Sequence, residues 1–465
     1  MEPITDTQIE KIHRQQKLYF ESGNMRTYAA RKELLKELGE RIQAHEQEIY
    51  TALKSDLGKS EMEAYMTEVG FIQADISHAL KNLRRWMMPQ WAGTGLINFP
   101  GKSSIIKEPY GSVLNIAPWN YPFQLALAPA IGALAAGNTV LIKPSEMAPA
   151  TAAVLKKLIN SHFDPGALHV MEGGVETTTA LLQQKWDYIF FTGSSSVGKI
   201  VYKAAAEHLT PVTLELGGKS PTIVHASANL KISARRIVWG KFLNAGQTCV
   251  APDYVLVDQR IKDKFIPLLQ AEIESFYGKN PIQNEEYGKI IHEKHFDRLE
   301  KYTQDARILY GGASDRNSCK IAPVIVEPKD MNSPLMQDEI FGPILPIVPF
   351  SSAAEVVSII RSKAKPLALY IFSSDSDFTQ YILDHTSSGG VSINDVIMHM
   401  AGSELPFGGV GESGLGAYHG KYSFDTFSHQ KPVLHRQFWL DAPLRYPPFN
   451  KIPLAWLKKI FRHVL

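Results

Sequence analysis

The chain has 465 residues, 44% hydrophobic and 21% charged, with a formal net charge of +2. That length suits two or three ordinary domains with well-buried cores, and so small a net charge gives no field for holding nucleic acid. The two cysteines, Cys249 and Cys319, sit in unlike contexts, which argues against a disulfide framework and for a reducing cytosol.

The first residues (Met1-Glu2-Pro3-Ile4-Thr5-Asp6) have neither a basic stretch nor an apolar core, so no signal peptide is expected. No run reaches the roughly 20 apolar residues of a membrane span. The first ninety or so positions read as helices, with Leu34, Leu38 and Ile42 recurring on one face. From Ser112 short apolar runs alternate with helical ones. Val113-Leu114-Asn115-Ile116, Val140-Leu141-Ile142, Leu168-His169-Val170-Met171, Tyr188-Ile189-Phe190-Phe191 and Thr213-Leu214-Glu215-Leu216 are strand candidates, and 148–159 is one intervening helix. Continuous apolar strands separated by helices predict a parallel sheet covered on both faces, a doubly wound α/β domain. A second alternating half follows Gly217, with strands at Ile223-Val224, Tyr254-Val255-Leu256-Val257, Val324-Ile325-Val326, Leu369-Tyr370-Ile371-Phe372 and Val391-Ser392-Ile393. Past Gly408 the chain turns Gly-rich and then Pro-rich, which reads as a wrapping tail.

Chemistry concentrates in a few turns. Phe191-Thr192-Gly193-Ser194-Ser195-Ser196-Val197-Gly198 leaves a strand and opens a helix, where backbone amides can approach a pyrophosphate. Its Gly-x4-Gly spacing is weak as a pattern and equally fits an ordinary strand-to-helix turn. Lys143-Pro144-Ser145-Glu146 ends a strand, a position suited to ribose hydroxyls or to a solvated loop. Cys249, in Asn244-Ala245-Gly246-Gln247-Thr248-Cys249, is either a nucleophile or a buried structural thiol. Glu215 lies between Leu214 and Leu216, and such neighbours should raise its pKa toward that of a working base.

Together these segments resemble the aldehyde dehydrogenase superfamily over nearly the whole chain, and most closely its class 3 branch of fatty and aromatic aldehyde enzymes. The runs that carry the resemblance are Pro118-Trp119-Asn120-Tyr121-Pro122, Lys143-Pro144-Ser145-Glu146, Phe191-Thr192-Gly193-Ser194 and Leu214-Glu215-Leu216-Gly217-Gly218-Lys219. Gly246-Gln247-Thr248-Cys249, Glu339-Ile340-Phe341-Gly342-Pro343 and Pro406-Phe407-Gly408-Gly409-Val410-Gly411 complete them. The class 3 likeness rests on the short N-terminus, on Ala417-Tyr418-His419-Gly420-Lys421-Tyr422-Ser423-Phe424, and on Val391-Ser392-Ile393-Asn394-Asp395 with Met398-His399 nearby.

The resemblance implies two doubly wound α/β domains, one cofactor-binding (1–216) and one catalytic (217–409). A small oligomerisation hairpin near 95–111 and an oligomerisation segment with an amphipathic tail (410–465) would join two subunits into a homodimer. It implies Cys249 as nucleophile, Asn120 as donor to the oxyanion and Glu215 as the base that activates water. Lys143 and Glu146 would hold the adenosine ribose, Gly193 and Ser194 the pyrophosphate, and Glu339 and Phe341 the nicotinamide ribose and ring, with Trp119 and Leu216 beside them. A carboxylate at Glu146 favours NAD, while NADP use stays open. The expected reaction is NAD(P)-dependent oxidation of medium- or long-chain aliphatic, aromatic or apocarotenal-type aldehydes to carboxylic acids. No metal is expected, because no His/Cys/Asp cluster has ligand spacing.

Ala245 stands where many class 3 relatives carry a second cysteine. Cys319 reads as a surface turn, and His399 and His419 as packing residues. The C-terminal run from Pro453 to Leu465 sets Trp456, Leu457, Ile460 and Phe461 against Lys458, Lys459, Arg462 and His463. This is a basic amphipathic helix, docked on protein or lying on a membrane surface. A CoA-acylating enzyme, a non-catalytic structural relative and a thioesterase are the competing readings. Glu215 argues against the first, and the joint presence of Cys249, Asn120 and Glu215 against the second. The ribose-binding Lys143, Glu146 and Glu339 argue against the third.

Overall fold

The computed structural model describes residues 6–441, 445–449 and 453–464, and it opens with the expected helices. Four of them are Asp6–Glu21, Tyr28–Ala44, Glu46–Leu57 and Gly70–Trp86. In Tyr28–Ala44 the buried stripe is Arg31, Leu35, Leu38 and Ile42, capped by the Thr27 hydroxyl accepting from Ala30 N–H. Leu34, expected on that stripe, is only half-buried. The spacing 31, 35, 38, 42 follows the 3.6-residue period and rotates Leu34 to the edge.

Two large sheets follow. The first runs Gly414–Leu415, Val212–Glu215, Tyr188–Thr192, Ser112–Ile116, Thr139–Lys143, Leu168–Val170, parallel except at the first strand. The second runs Ala306–Gly311, Val324–Pro328, Ile344–Phe350, Tyr254–Asp258, Pro221–Val224, Ala368–Phe372, Gly390–Ile393, again parallel except at its first strand. Successive strand side chains point to opposite faces. Val113, Val140, Ile142 and Phe190 of the first sheet therefore share one continuous core with Val255, Val257, Tyr370 and Phe372 of the second. Leu114, Leu141, Ile189 and Phe191 build a separate core on the first sheet's other face, and Tyr254, Leu256, Leu369 and Ile371 do so on the second. Each such side chain contributes about 1.5–3 kcal/mol on burial, and the shared core fixes the two sheets across the cleft between them.

The central strand Ile344–Phe350 escapes the sequence reading because Pro346 and Pro349 lie in it, and proline removes a ladder donor. The structure tolerates both because the strand's neighbours are staggered. Residues 344–346 pair with Val324–Pro328, and residues 347–350 pair with Tyr254–Asp258.

The expected 95–111 hairpin is set earlier in the chain. Its strands are Gln90–Ala92 and Gly101–Pro109, and the longer one pairs antiparallel with Ser428–Arg436 of the same chain. The tail does wrap. Gly414 pairs with Glu215 at the edge of the first sheet, and the helix Gly420–Thr426 lies on the fully buried helix Gln124–Ala136. A Cβ on Gly132 would come within 2.5 Å of the Ser423 Cβ, so this contact demands glycine.

Candidate active site

The carboxyl ends of four of the first sheet's parallel strands open into one cleft, the usual ligand crevice of such sheets. Ser112–Ile116 leads to Trp119 and Asn120, Thr139–Lys143 to Lys143 and Glu146, Tyr188–Thr192 to Gly193 and Ser194, and Val212–Glu215 to Glu215 and Leu216. From the other side come Cys249, Glu339 and Phe341. All eleven residues singled out from the sequence line a single cavity of about 970 Å³.

Cys249 hangs on a sharply bent loop. The helix Leu230–Phe242 ends, and Asn244, Ala245 and Gly246 then take left-handed backbone angles in succession. Non-glycine residues in that region cost of order 1–3 kcal/mol each, and asparagine bears it best. At Gly246 a Cβ would sit 2.3 Å from the Gly342 carbonyl oxygen. Hydrogen bonds brace the bend: Gln247 Nε2 donates to the carbonyls of Asn244 (3.1 Å) and Lys289 (2.9 Å), and Gln247 Oε1 accepts from Ile291 N–H (3.0 Å). The Asn120 amide donates to the Gln247 carbonyl at 3.1 Å, and the hydroxyls of Tyr121 and Thr248 meet at 2.6 Å. This places the Asn120 amide beside the cysteine loop.

Among the shifted ionisable groups of the cleft, three bear on the chemistry. Burial, aided by the carboxylates of Glu339 and Glu215, pushes the Cys249 thiol up to about 12. Burial alone holds the Glu215 carboxyl well above the usual carboxylate range, and neither of its oxygens has a protein hydrogen-bond partner among the described residues. Glu339 is raised to about 8 by burial and by Asp253, against the opposing pull of the Gly218 N–H and of Lys219. Its segment is pinned from both sides. Lys219 donates to Asp253 (2.5 Å) and to the carbonyls of Leu335 and Asp338 (both 2.8 Å). Asp253 accepts from Ile340 N–H, and Arg298 donates to the Ile340 carbonyl at 2.7 Å.

Lys143 and Glu146 lie 3.3 Å apart, with the lysine buried and also bonded to the Pro144 carbonyl. Ser194 caps the helix Ser195–Glu207 by accepting from Val197 N–H. Phe341, left-handed at φ 51°, sets its ring edge-on to Trp119 with centroids 5.3 Å apart. These residues fit an extended dinucleotide. A helix N-terminus faces the cleft for a diphosphate, a Lys–Glu pair suits a ribose diol, and the buried Thr192 hydroxyl on the same wall has no protein partner. Among the described residues no group of His, Cys, Asp and Glu is placed to hold a metal.

The sequence reading gave Lys219 no role, although it had singled out its motif, and it did not find the apolar half of the cavity. Met66, Phe71, Trp239, Met398, Met400 and Phe407 line that half. They come from four separate stretches of chain, with no shared period to reveal them. His419 stacks on Phe407 (centroids 5.1 Å apart), and His399 Nδ1 meets the Ser392 hydroxyl at 3.0 Å. Both rings stand behind the wall as packing groups. Cys319 lies in the turn between Ser314–Asp315 and Lys320–Ile321, outside the cavity lining.

A family model described as the aldehyde dehydrogenase family matches residues 1–433. A 4,4'-diaponeurosporen-aldehyde dehydrogenase of Staphylococcus aureus is 48% identical over 98% of this chain and 99% of its own. The family 3 member H1 aldehyde dehydrogenase of Arabidopsis thaliana is 48% identical over 95% of this chain and 92% of its own. Among solved structures, a substrate-bound Staphylococcus aureus AldH superposes with a TM-score of 0.95 at 48% identity, covering 97% of this chain and 99% of that one.

Proposed function

The chain belongs to the aldehyde dehydrogenase family, and from that premise we propose that it oxidises large hydrophobic aldehydes through a thioester on Cys249. It is an oxidoreductase that converts aldehydes to carboxylic acids with NAD as hydride acceptor. The bound nicotinamide supplies the two-electron sink. This chain's residues do the rest. The Cys249 thiol gives its proton to solvent and the thiolate attacks the aldehyde carbon, whose carbonyl electron pair moves to oxygen; that alkoxide takes hydrogen bonds from the Asn120 amide and the Cys249 backbone N–H. One such donor is worth roughly 3–4 kcal/mol of barrier. Re-formation of the carbonyl would pass hydride to a bound nicotinamide and leave the thioester on Cys249. Glu215 then takes a proton from water, the hydroxide adds to the thioester, and the Cys249 sulfur leaves with release of the acid. Glu339 and Phe341, held by Lys219 and Arg298, would orient the cofactor's reactive end. Lys143 and Glu146 hold its other ribose.

The observation that carries this reading is that thiol, amide, unpartnered carboxylate and ribose-binding pair line one cavity whose other half is apolar. An apolar tunnel gains about 0.8 kcal/mol per buried methylene, roughly fourfold. NADH formation followed at 340 nm over straight-chain aldehydes from acetaldehyde to dodecanal should therefore show kcat/KM climbing with length until the cavity is full. NAD should outperform NADP, since the Glu146 carboxylate repels a 2′-phosphate. A flat profile removes the hydrophobic substrate class, and equal use of the two cofactors removes that role of Glu146. Product that forms only when CoA is added would replace hydrolysis by acyl transfer.

The same reading gives a cytoplasmic homodimer. Trp91, Leu96, Phe99, Phe438 and Trp439 stand exposed around the three-stranded sheet, an apolar patch of the kind that marks an interface. Sedimentation velocity on the intact chain checks it, and a monomer at micromolar concentration rejects it. Among the described residues no helix is long and apolar enough to cross a membrane. The terminal helix Leu454–Val464 leaves Leu454 and Trp456 largely exposed beside exposed Lys458, Lys459 and Arg462. That pattern supports peripheral contact with an anionic lipid surface. Deleting the chain from Pro453 should abolish co-sedimentation with anionic liposomes. Equal pelleting of both forms, or none in the intact chain, assigns the helix to a protein partner instead.

A further inference from the structure

Lys59 and Glu68 form an ion pair 2.5 Å long with neither side chain exposed to solvent. Burying two charges is offset only by close geometry and by further hydrogen bonds, and apolar residues of similar volume serve stability as well or better. What the pair touches is therefore informative. Glu68 Oε2 accepts from the backbone N–H groups of Phe123 (2.8 Å) and Gln124 (3.1 Å), where the helix Gln124–Ala136 begins. Lys59 Nζ reaches the Asn120 carbonyl at 3.4 Å and stands 3.9 Å from the centre of the Tyr121 ring. Both charges are thus spent on the turn that carries Asn120. Glu68 itself lies in a π-helical turn, Tyr65–Val69, an irregularity that often marks functional places.

The same turn is held from its other side by the cysteine loop. Asn244 Nδ2 donates to the Asn120 carbonyl at 2.7 Å, and Asn244 N–H donates to Glu63 at 2.8 Å, tying that loop to the N-terminal helices as well. The Asn120 amide has two hydrogens. One goes to the Gln247 carbonyl, which leaves the other for the cavity. Neither Lys59 nor Glu68 lines the cavity, so neither can touch substrate.

We propose that the Lys59–Glu68 pair is a positioning device for Asn120: it clamps the 120–124 turn against the Cys249 loop so that the free amide hydrogen meets the developing oxyanion. The proposal rests on the reading of Asn120 as the oxyanion donor. A misplacement of 1 Å in such a constellation costs about 100-fold. Removing one charge alone would strand the other, so the informative variant is Lys59→Met with Glu68→Gln.

The test is a double-mutant cycle read by steady-state kcat, with KM for NAD and thermal unfolding measured beside it. The paired replacement should lower kcat by about 30- to 100-fold with KM for NAD changed less than about threefold. Asn120→Ala should lower kcat by about 100- to 1,000-fold. In the Asn120→Ala background the paired replacement should cost less than about threefold, because the group it positions is gone. The same fold loss in both backgrounds, or an unchanged kcat in the folded variant, overturns the proposal. An Asn120→Ala enzyme with normal kcat instead rejects the oxyanion reading, and the clamp falls with it. Lys59→Gln with Glu68→Gln, which strands neither charge and keeps an acceptor for Phe123 and Gln124, serves the same cycle with the same outcomes should the first pair not fold.

Discussion

Cys249→Ala should abolish aldehyde-dependent NADH formation, by at least about 10⁴-fold, the scale on which removing a covalent nucleophile acts. Alanine lacks only the sulfur of cysteine, and the side-chain amide bonds of Gln247 and Asn244 that shape the loop do not involve the thiol, so folding and cofactor binding should survive. Quenching of tryptophan emission by NADH gives that control. Trp119 lines the cavity, and the signal should match the parent enzyme. Residual turnover above about one per cent with binding intact would mean that hydride leaves without a thiohemiacetal on Cys249, and would remove its role as nucleophile. The thiol's own titration supplies a second reading. A group pushed up to about 12 by burial and by two carboxylates carries little thiolate at pH 7. Alkylation by iodoacetamide in the absence of cofactor should therefore be slow at neutrality and quicken steadily through pH 10. A fast, pH-independent reaction at pH 7 would place a cation near the sulfur that the geometry does not contain.

Much of this site can be read from the chain because motif residues sit at strand ends, and strands buried on both faces announce themselves as unbroken apolar runs. Ser112–Ile116, Thr139–Lys143 and Tyr188–Thr192 are of that kind, and each delivers its functional residue within a few positions of the last apolar one. What stays hidden depends on staggered or long-range contact. Ile344–Phe350 looks broken by its prolines until its neighbours are seen to pair with different halves of it. Ser428–Arg436 is largely exposed and has no apolar alternation, so only its pairing with Gly101–Pro109 reveals it as a strand. Lys219, Asp253 and Ile340 converge from three stretches of sequence to hold Glu339. Lys59 meets the Asn120 turn across sixty-one positions. No local period records either convergence, because hydrogen bonds across a tertiary interface leave no trace in neighbouring residues.

Glu215→Gln should separate the two halves of the reaction. Acylation needs the thiol and the oxyanion donors, while hydrolysis needs a base, and Glu215 is a buried carboxyl with both oxygens unengaged by protein. Rapid mixing should give a burst of NADH close to one per site, followed by steady turnover lowered by about 10²- to 10⁴-fold, the range in which a positioned general base acts. The thioester should be trappable by acid quench and intact-mass analysis as an adduct on Cys249. The pH profile carries the sign. A base works deprotonated, and burial holds this carboxyl above the usual carboxylate range, so ionisation and hydrolysis are both lost as pH falls through the raised value. The parent enzyme should show a rising acid limb of kcat at higher pH than an ordinary glutamate would give, and the glutamine variant should lose that limb along with its turnover. Glu339, raised to about 8 in the same cavity, is a second buried carboxyl able to produce such a limb. Survival of the limb in Glu215→Gln, together with full steady-state turnover, would transfer the base's role to Glu339. Loss of the limb with a preserved burst assigns it to Glu215.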